Sequence, residues 1–495
     1  VAVRALSMMG ARYVHYLVPN RFEYGYGLTP EIVAVAAQWR PDLIITVDNG
    51  ISSVAGVAAA NAHGIEVVIT DHHLPGADLP AARAIVNPNQ HGDAFPSKCL
   101  AGVGVIFYVM LALRANLRDS GWFARHGPEP NLARLLDLVA LGSVADLVPL
   151  DYNNRVLVSQ GLERMRRGHA CAGIQALAEV AGRCLDRLCA ADLGYAVAPR
   201  LNAAGRLEDM SLGIACLLTD SLDAARPMAR ELDRLNAERR QIEGQMHAEA
   251  LQALDELRLG PEQAELPAGV CLFDERWHQG VIGILASRIK DHLHRPTIAF
   301  AAAGDGELKG SARSLPGLHI RNALEAIAAA HPGLLTRFGG HAMAAGLSLR
   351  RADLETFRHA FAAEAARCLT PADLHGTVYS DGLLEPEHHT VAVAELIRGG
   401  GPWGQAFPEP VFDGVFEVVK RRIVGDRHLT LLLRLPGAAG LLDAIAFNTT
   451  GDILAEQRRV HLAYKLDVND YRGQRSAQLL VEHMQVPRAE AAALS

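Results

Sequence analysis

The sequence predicts an α/β protein in which two α/β domains are joined by a long helix and followed by an OB-like β-barrel. Three observations predict this fold. Two apolar runs flank a small-residue helical stretch between Leu43 and Thr70, a charged stretch with an apolar stripe begins at Ser221, and five alternating runs follow Phe416. With 495 residues, the chain suits about three domains rather than one hydrophobic core.

Composition narrows the class of protein. The chain is 49% hydrophobic and 21% charged, which is typical of a globular protein. We expect a cytoplasmic protein without a membrane partner, because no apolar run reaches the ~20 residues needed to span a bilayer and no signal peptide is evident. The seven cysteines are odd in number and form no Cys-x-x-Cys pair, which argues against a disulfide framework. A net charge of −7 argues against indiscriminate nucleic-acid binding but is compatible with a local basic channel.

The predicted domains follow one another along the chain. We expect an α/β domain over 1–220, a connecting helix and linker over 221–268, a second α/β domain over 269–367 and a barrel over 381–485. The first nine residues resemble a helix ending at Gly10, and a strand is predicted over Tyr13–Val18. Since Val1 is not an initiator methionine, we expect a further strand of the first domain to precede it.

Polar residues follow both strands of the predicted strand-helix-strand unit. Asp48 comes after the first strand, and Asp71, His72 and His73 come after the second. A right-handed parallel crossover brings the carboxyl ends of two such strands to one edge of the sheet, where ligands bind in open α/β sheets. Converging carboxylate and imidazole groups suggest a metal site. The alternative is an ordinary Asp-Asn-Gly turn and a helix cap.

Asp146 is a third candidate ligand. It lies among small and apolar residues between Gly142 and Pro149. A carboxylate in such surroundings is costly to bury unless it is paired or bound to a cation.

Several loops carry residues suited to phosphate. Arg21 lies in a glycine- and aromatic-rich loop, and Arg200, Asn202 and Arg206 lie in a predicted loop with small residues between them. Arginine binds phosphate through two parallel hydrogen bonds and keeps its charge. The alternatives are a solvated surface arginine at position 21 and a helix-capping role for Asn202.

The second α/β domain contains three such clusters. They are a glycine-bearing helix entry at 277–283, a stretch with Ser311 and Arg313, and His341 after two glycines. Helix N-termini and glycine-exposed backbone bind anions readily. Three clusters in one domain predict a phosphate-binding wall.

The C-terminal runs suit the five strands of an OB-fold. Between Lys420 and Arg475 there are ten Lys/Arg and six Asp/Glu, and Tyr464 and Tyr471 lie nearby. Charge combined with aromatic stacking predicts a groove for single-stranded nucleic acid, and a solvated barrel surface is the alternative. We expect the His388-His389 pair to be exposed.

These motifs together resemble the bacterial RecJ family, the single-strand-specific 5′→3′ exonucleases of the DHH phosphoesterase superfamily. The likeness covers nearly the whole chain. Asp-His-His is a superfamily-level signal, whereas the stretches at 200–206 and 309–314 are more specific. The motifs occur in the family's order: Val18–Phe22, Thr46–Ser52, Thr70–His73, Gly142–Asp146, Pro199–Arg206, Gly310–Ser314 and Gly339–His341.

The resemblance implies a two-manganese centre, with magnesium as the alternative, whose ions lie ~3.5–4 Å apart and promote phosphodiester hydrolysis. It implies that His73 lies beside the scissile phosphate and that Asp71 orients the histidines. The implied metal ligands are Asp48, His72 and Asp146. The implied 5′-phosphate contacts are Arg21, Ser311 and Arg313, and the implied backbone contacts are Arg200, Asn202, Arg206 and His341.

The resemblance also implies a substrate, a cellular role and a departure from the family pattern. The substrate is single-stranded DNA with a 5′ end, degraded to 5′-mononucleotides in repair and recombination, with single-strand-binding protein as a partner. The family's Asp-x-Asp motif is expected before Val1, so we expect the 495-residue chain alone to be inactive. Two alternatives stay open: a DHH phosphodiesterase acting on short oligonucleotides or cyclic dinucleotides, and a catalytically dead DNA-binding scaffold.

Overall fold

The structure is a computed structural model that describes residues 1–18, 27–258, 266–425, 428–436, 440–447, 449, 458–471 and 474–487. Within these ranges no helix has both the length and the apolar character needed to cross a membrane. All seven cysteines are free.

The first domain contains the predicted strand-helix-strand unit. Its parallel sheet has the order β1-β2-β3, with β1 Leu43–Val47, β2 Glu66–Thr70 and β3 Ala84–Val86. Val47 pairs with Thr70, and Thr70 pairs with Val86, so all three strands end at the same edge. The strand β3 was not predicted, because three residues are too few to show an alternating pattern.

Among the described residues, eleven α-helices of the first domain precede the long connecting helix. Thr29 caps α2 by accepting a hydrogen bond from the Ile32 amide, and Pro30 is its first residue, as the sequence predicts. The helices are α1 Ala2–Met8, α2 Pro30–Ala37, α3 Val54–Ala62, α4 Gly102–Asp119, α5 Trp122–His126, α6 Leu136–Ala145, α7 Tyr152–Arg166, α8 Ala172–Val180, α9 Ala190–Asp192, α10 Ala198–Leu207 and α11 Ser211–Leu218.

Two local predictions in this domain are wrong. Tyr13–Val18 is not a strand, since it pairs with no described strand, and Tyr13 is 89% exposed. The segment with Arg200, Asn202 and Arg206 is helix α10 rather than a loop. Its small residues Ala203 and Ala204 are buried, which allows close helix packing, and Asn202 is an exposed residue inside the helix rather than a cap.

A 37-residue helix, α12 Leu222–Arg258, connects the first two domains as predicted. Leu232, Leu235 and Met246 of the predicted stripe are buried. Glu243 accepts a hydrogen bond from Arg239 of the same helix at 2.8 Å and also pairs with Arg288 of the second domain. Part of the predicted linker, 259–265, lies outside the described residues.

The second domain is a mixed sheet with helices. The order is β4-β5-β6-β8-β7, in which the pair β4-β5 is parallel and the others are antiparallel. Its core contains Phe300, Phe357 and Phe361. The elements are β4 Val270–Phe273, α13 Ile282–Leu293, β5 Thr297–Gly304, β6 Glu307–Arg313, α14 Ile320–Ala330, β7 Arg337–Gly340, β8 Ala344–Arg350 and α15 Leu354–Cys368.

The C-terminal domain is a closed five-stranded barrel, which confirms the predicted OB-like fold. Its strand order is β10-β11-β13-β12-β9, and helix α16 Val391–Gly399 packs on it. The strands are β9 Phe412–Val424, β10 His428–Arg434, β11 Leu441–Ala446, β12 Arg459–Tyr471 and β13 Gln474–Gln485.

Tyr464 and His389 lie inside this domain, contrary to the sequence-based expectations. Tyr464 points into the barrel, is fully buried and cannot stack on a base. His389 is 8% exposed, and its Nε2 lies 2.8 Å from the Tyr464 hydroxyl. The orientation of a residue relative to a barrel wall depends on register, which composition does not give. The side chain of Tyr471 lies outside the described set.

We predict that Tyr464→Phe destabilises the protein by about 1–3 kcal/mol, because a buried ring nitrogen of His389 loses its partner. His389 Nδ1 faces the Glu385 carbonyl at 3.2 Å, so Nε2 is the atom that accepts from the tyrosine. Urea unfolding measures the loss, and single-stranded DNA affinity should not change. Weaker DNA binding at unchanged stability would contradict the buried position of this ring.

Candidate metal centre

Strands β1 and β2 place Asp48 and Asp71 side by side. The strand ladder continues past both strands, because the Asp48 amide donates to the Thr70 carbonyl at 3.0 Å and the Asp71 amide to the Val86 carbonyl at 3.1 Å. Asp48 has a φ of +64°, which is uncommon for a residue with a side chain. The surrounding structure therefore fixes Asp48 in a strained backbone conformation, as often occurs at functional sites.

Asp71 is a buried hydrogen-bond acceptor that fixes both histidines. Its Oδ1 accepts from the amides of His72 and His73 at 2.7 and 3.1 Å and lies 2.6 Å from His73 Nδ1. Its Oδ2 accepts from the Ile51 amide at 3.0 Å. Burial by itself would raise the pKa of Asp71, but the hydrogen bonds from His73 and Ile51 outweigh it and lower the pKa. Asp71 is therefore an ionised anchor.

His72 Nε2 lies between two carboxylates. It is 3.1 Å from Asp48 Oδ1 and 3.4 Å from Asp146 Oδ2, yet it is buried and makes no hydrogen bond of acceptable geometry. Burial alone would lower the pKa of His72, but the Asp48 and Asp146 carboxylates raise it. A buried nitrogen without a hydrogen bond, close to carboxylate oxygens, is the donor arrangement that a metal ion fits.

Asp146 lies at the end of α6, directly after the helix. Burial raises its pKa to about 6, and the charge of Asp48 acts in the same direction. A cation between these groups would remove the repulsion between the two carboxylates.

The donor set fits a divalent transition metal. Asp48, His72 and His73 offer ligand atoms within 4.8 Å of one another. Asp146 joins this group through the 3.4 Å contact between its Oδ2 and His72 Nε2. Imidazole and carboxylate groups are both common ligands of divalent metal ions in proteins.

Two asparagines hold the histidine backbone, a role that the sequence analysis missed. Asn87 Nδ2 donates to the His73 carbonyl at 2.8 Å, and Asn89 Nδ2 donates to the His72 carbonyl at 2.5 Å. Asn87 is buried. The Asn-Pro-Asn stretch could be recognised from sequence as a turn, but its contact with the histidines depends on β3.

Gly102 lies directly against Asp48. A β-carbon added at Gly102, the first residue of α4, would lie 2.6 Å from Asp48 Cβ and 2.7 Å from Asp48 Cα. The backbone neighbour of Gly102 is therefore a candidate metal ligand.

His341 comes from the second domain and meets the centre. Its ring stacks on His73 with centroids 5.1 Å apart. Burial lowers the pKa of His341, and the neighbouring His73 and His72 lower it further. A neutral imidazole therefore faces the candidate centre from the opposite domain.

Ser311 and Arg313 lie together on β6. Arg313 Nη1 donates to Ser311 Oγ at 3.1 Å, and burial lowers the pKa of Arg313. Among the described residues no carboxylate pairs with this guanidinium. A β-carbon at Gly283, in the first turn of α13, would lie 2.9 Å from Ser311 Oγ and 3.0 Å from Arg313 Nη2. A half-buried cation, a hydroxyl and a helix N-terminus together form a pocket suited to an anion.

This pocket and His341 lie at the same end of the second sheet. Arg313 pairs with Ala344 on β8, and the Ala344 carbonyl accepts from the His341 amide at 2.8 Å.

The remaining predicted site residues belong neither to the candidate metal centre nor to the pocket of Ser311 and Arg313. Arg200 is ion-paired with Asp233 of α12 at 2.8 Å, and its side chain is 12% exposed. Arg206 donates to the Gly280 carbonyl at 3.3 Å, which joins α10 to the second domain. Asn202 is exposed on α10. Arg21 lies outside the described residues.

Comparisons with known protein families match three successive parts of the chain. The DHH family, N-terminal domain, matches residues 1–143, the DHHA1 domain matches 266–367, and the RecJ OB domain matches 380–483.

Individual relatives match nearly the whole chain. It is 57% identical over 487 residues to the single-stranded-DNA-specific exonuclease RecJ of Dickeya dadantii and 54% identical to that of Escherichia coli, covering 98% of this chain and 84% of each relative. A crystal structure of RecJ with Mn²⁺ from Thermus thermophilus superposes with a TM-score of 0.78 at 32% identity, covering 98% of this chain and 66% of that one.

We predict that Gly102→Ala weakens Mn²⁺ binding by about 10–100-fold, the usual range for residues that position a ligand. The added methyl group must displace the backbone of Asp48. Gly104→Ala is the matched control, because its β-carbon would meet only the flexible end of Leu100, Cδ2, at 2.8 Å. Calorimetric titration with Mn²⁺ measures both variants. Equal affinities for the two would show that Gly102 does not position Asp48.

Proposed function

Because the chain belongs to the RecJ family of single-stranded-DNA-specific exonucleases, we propose that it removes 5′-mononucleotides successively from the 5′ end of single-stranded DNA. The reaction is metal-dependent phosphodiester hydrolysis. The strongest structural support is the buried His72 Nε2, which lies without a hydrogen bond between the carboxylates of Asp48 and Asp146.

Asp48, His72 and Asp146 are the proposed metal ligands. The family's dependence on a divalent metal is supported by solved RecJ structures with Mn²⁺ and with Mg²⁺. We propose two manganese ions, which would bind phosphate oxygens as Lewis acids and lower the pKa of water.

His73 and Asp71 are the proposed catalytic pair. Asp71 accepts the Nδ1 proton of His73, so Nε2 is the atom that can exchange a proton with the substrate. The stacked His341 limits rotation of the His73 ring, and the Asn87 hydrogen bond holds the His73 backbone carbonyl. His73 is thereby oriented before the phosphate arrives, which lowers the cost of reaching the reactive geometry.

The pocket of Ser311 and Arg313 is the proposed site for the terminal 5′-phosphate, with Arg21 as a further contact. A terminal phosphate carries more negative charge than an internal phosphodiester, so a half-buried guanidinium without a described carboxylate partner favours chain ends. Binding the end here, beside His341 and its partner His73, would give the 5′→3′ polarity.

Asn202, Arg206 and His341 are the proposed contacts to the DNA backbone near the cleft. Arg200 is a further proposed DNA contact. Its guanidinium would have to bind the DNA while it is ion-paired with Asp233. Exposed Lys420 and Arg422, which point to the same side of β9, give the barrel a basic face for the rest of the DNA strand. A role in repair and recombination, and contact with single-strand-binding protein, are proposed from family membership alone.

The alternative functions have less support. The long helix α12 and the barrel favour a long single strand over a dinucleotide substrate. The ordered Asp71–His73 hydrogen bond and the converging ligands favour catalysis over a dead scaffold.

We predict that Mn²⁺ supports release of mononucleotides from the 5′ end of a single strand labelled at either end. Asp146→Asn should lower turnover by at least about 100-fold, because a candidate metal ligand loses its charge. Metal-independent DNA binding without turnover would favour the scaffold.

We predict that Arg313→Ala reduces the preference for a 5′-phosphate over a 5′-hydroxyl by about 10–100-fold in kcat/KM, as loss of a charged hydrogen bond implies. Arg350→Ala, an exposed arginine on β8 that pairs with Asp353, is the matched control and should keep the preference. An unchanged preference in Arg313→Ala would place the 5′-phosphate elsewhere.

A further inference from the structure

The segment Trp403–Phe407, which we call the clasp, projects from the C-terminal domain between α16 and β9. Gly404 and Phe407 hydrogen-bond to each other through both backbone groups, at 2.9 and 3.1 Å. The Trp403 ring stacks on Phe407 with centroids 5.0 Å apart, and its Nε1 donates to the Ile397 carbonyl of α16 at 3.0 Å. The clasp is therefore an ordered turn anchored to its own domain.

The clasp contacts the first domain at three points. The Leu150 amide donates to the Gln405 carbonyl at 2.7 Å. The Arg155 guanidinium lies over the Phe407 ring at 4.1 Å from its centroid, which is cation–π geometry. Gly404 leaves room for Leu150, whose Cδ1 would lie 2.7 Å from an added β-carbon. Phe407 packs against the core of the first domain.

Leu150 belongs to the loop that begins with Asp146. The loop starts from α6, where the Asp146 amide donates to the Gly142 carbonyl at 3.0 Å, and then turns through Leu147 with a φ of +56°. At its far end the buried Asn154 donates to the Pro149 carbonyl at 2.9 Å. Leu150 is 4% exposed, so its amide needs a protein partner, and the clasp provides one.

We propose that the clasp is a positioning element for the metal centre: the C-terminal domain holds the loop that places Asp146. The proposal rests on Asp146 being a metal ligand, as argued above. It gives the C-terminal domain a second task besides binding DNA, because Phe407 faces the first domain and not the basic strand β9. Metal affinity therefore depends on a contact between domains distant in sequence.

The test is Phe407→Ala, which removes the ring that Arg155 and Trp403 contact. We expect Mn²⁺ affinity, measured by calorimetry on the whole chain, to fall about three- to tenfold, the range expected for coupling through packed side chains. Turnover should show a higher Mn²⁺ requirement and a lower kcat, with KM for single-stranded DNA changed less than about twofold. Phe447→Ala, an aromatic residue of the same domain that is 55% exposed, is the control and should keep the Mn²⁺ affinity.

Arg155→Met guards against a folding defect in Phe407→Ala. It keeps an apolar side chain against Phe407 and removes only the cation. Loss of a positive charge would by itself favour cation binding, so weaker Mn²⁺ binding by this variant reports a loosened clasp. Unchanged Mn²⁺ affinity in both variants would overturn the proposal.

The variant Asp146→Asn distinguishes a failure of the ligand assignment from a failure of the clasp proposal. If it weakens Mn²⁺ binding while the folded Phe407→Ala and Arg155→Met do not, the ligand assignment stands and the clasp proposal fails. If Asp146→Asn leaves Mn²⁺ binding unchanged, both fail.

Discussion

The buried carboxylate of Asp71 is the constraint on which the candidate centre depends. A lone ionised carboxylate at 1% exposure would cost several kcal/mol. Here the amides of Ile51, His72 and His73 and the His73 ring compensate the charge. The same hydrogen bonds tie the turn after β1 to the end of β2. They therefore both stabilise the buried charge and position the candidate ligands.

The sequence predicted those helices and strands that are specified by neighbouring residues along the chain. The bounds of β1 and β2, the long helix and the strand-rich barrel follow from apolar periodicity and capping residues. Helix α10 was mistaken for a loop because its proline, asparagine and glycine residues favour turns. Burial of Ala203 and Ala204 overrides that preference, and tertiary contacts of this kind are not visible in a single sequence.

Candidate site residues that directly follow a predicted strand could be identified from the sequence. Residues whose role depends on a contact between distant parts of the chain could not. Asp48, Asp71 and His72 are adjacent because parallel strands end together. Gly102 has no side chain that could bind a ligand, so its sequence position alone gives no sign of a role. Only the structure shows that the absence of a side chain lets the helix approach Asp48. The inward orientation of Tyr464 likewise depends on barrel register, so a tyrosine suited to stacking became a core residue.

The centre is assembled from groups that repel one another until a cation is present, and this explains why several domains support it. Between its ordinary pKa and about 6, Asp146 keeps a proton in the folded state that the unfolded chain has lost, so its ionisation above that range opposes folding. A metal ion supplies the compensating charge only if Asp48 and Asp146 stay in place. Helix α4 packs on Asp48 through Gly102, and the Asp146 loop ends at Leu150, which bonds to the C-terminal domain. The proposed ligands repel one another and would need such rigid supports, because a loose loop would move Asp146 away from Asp48.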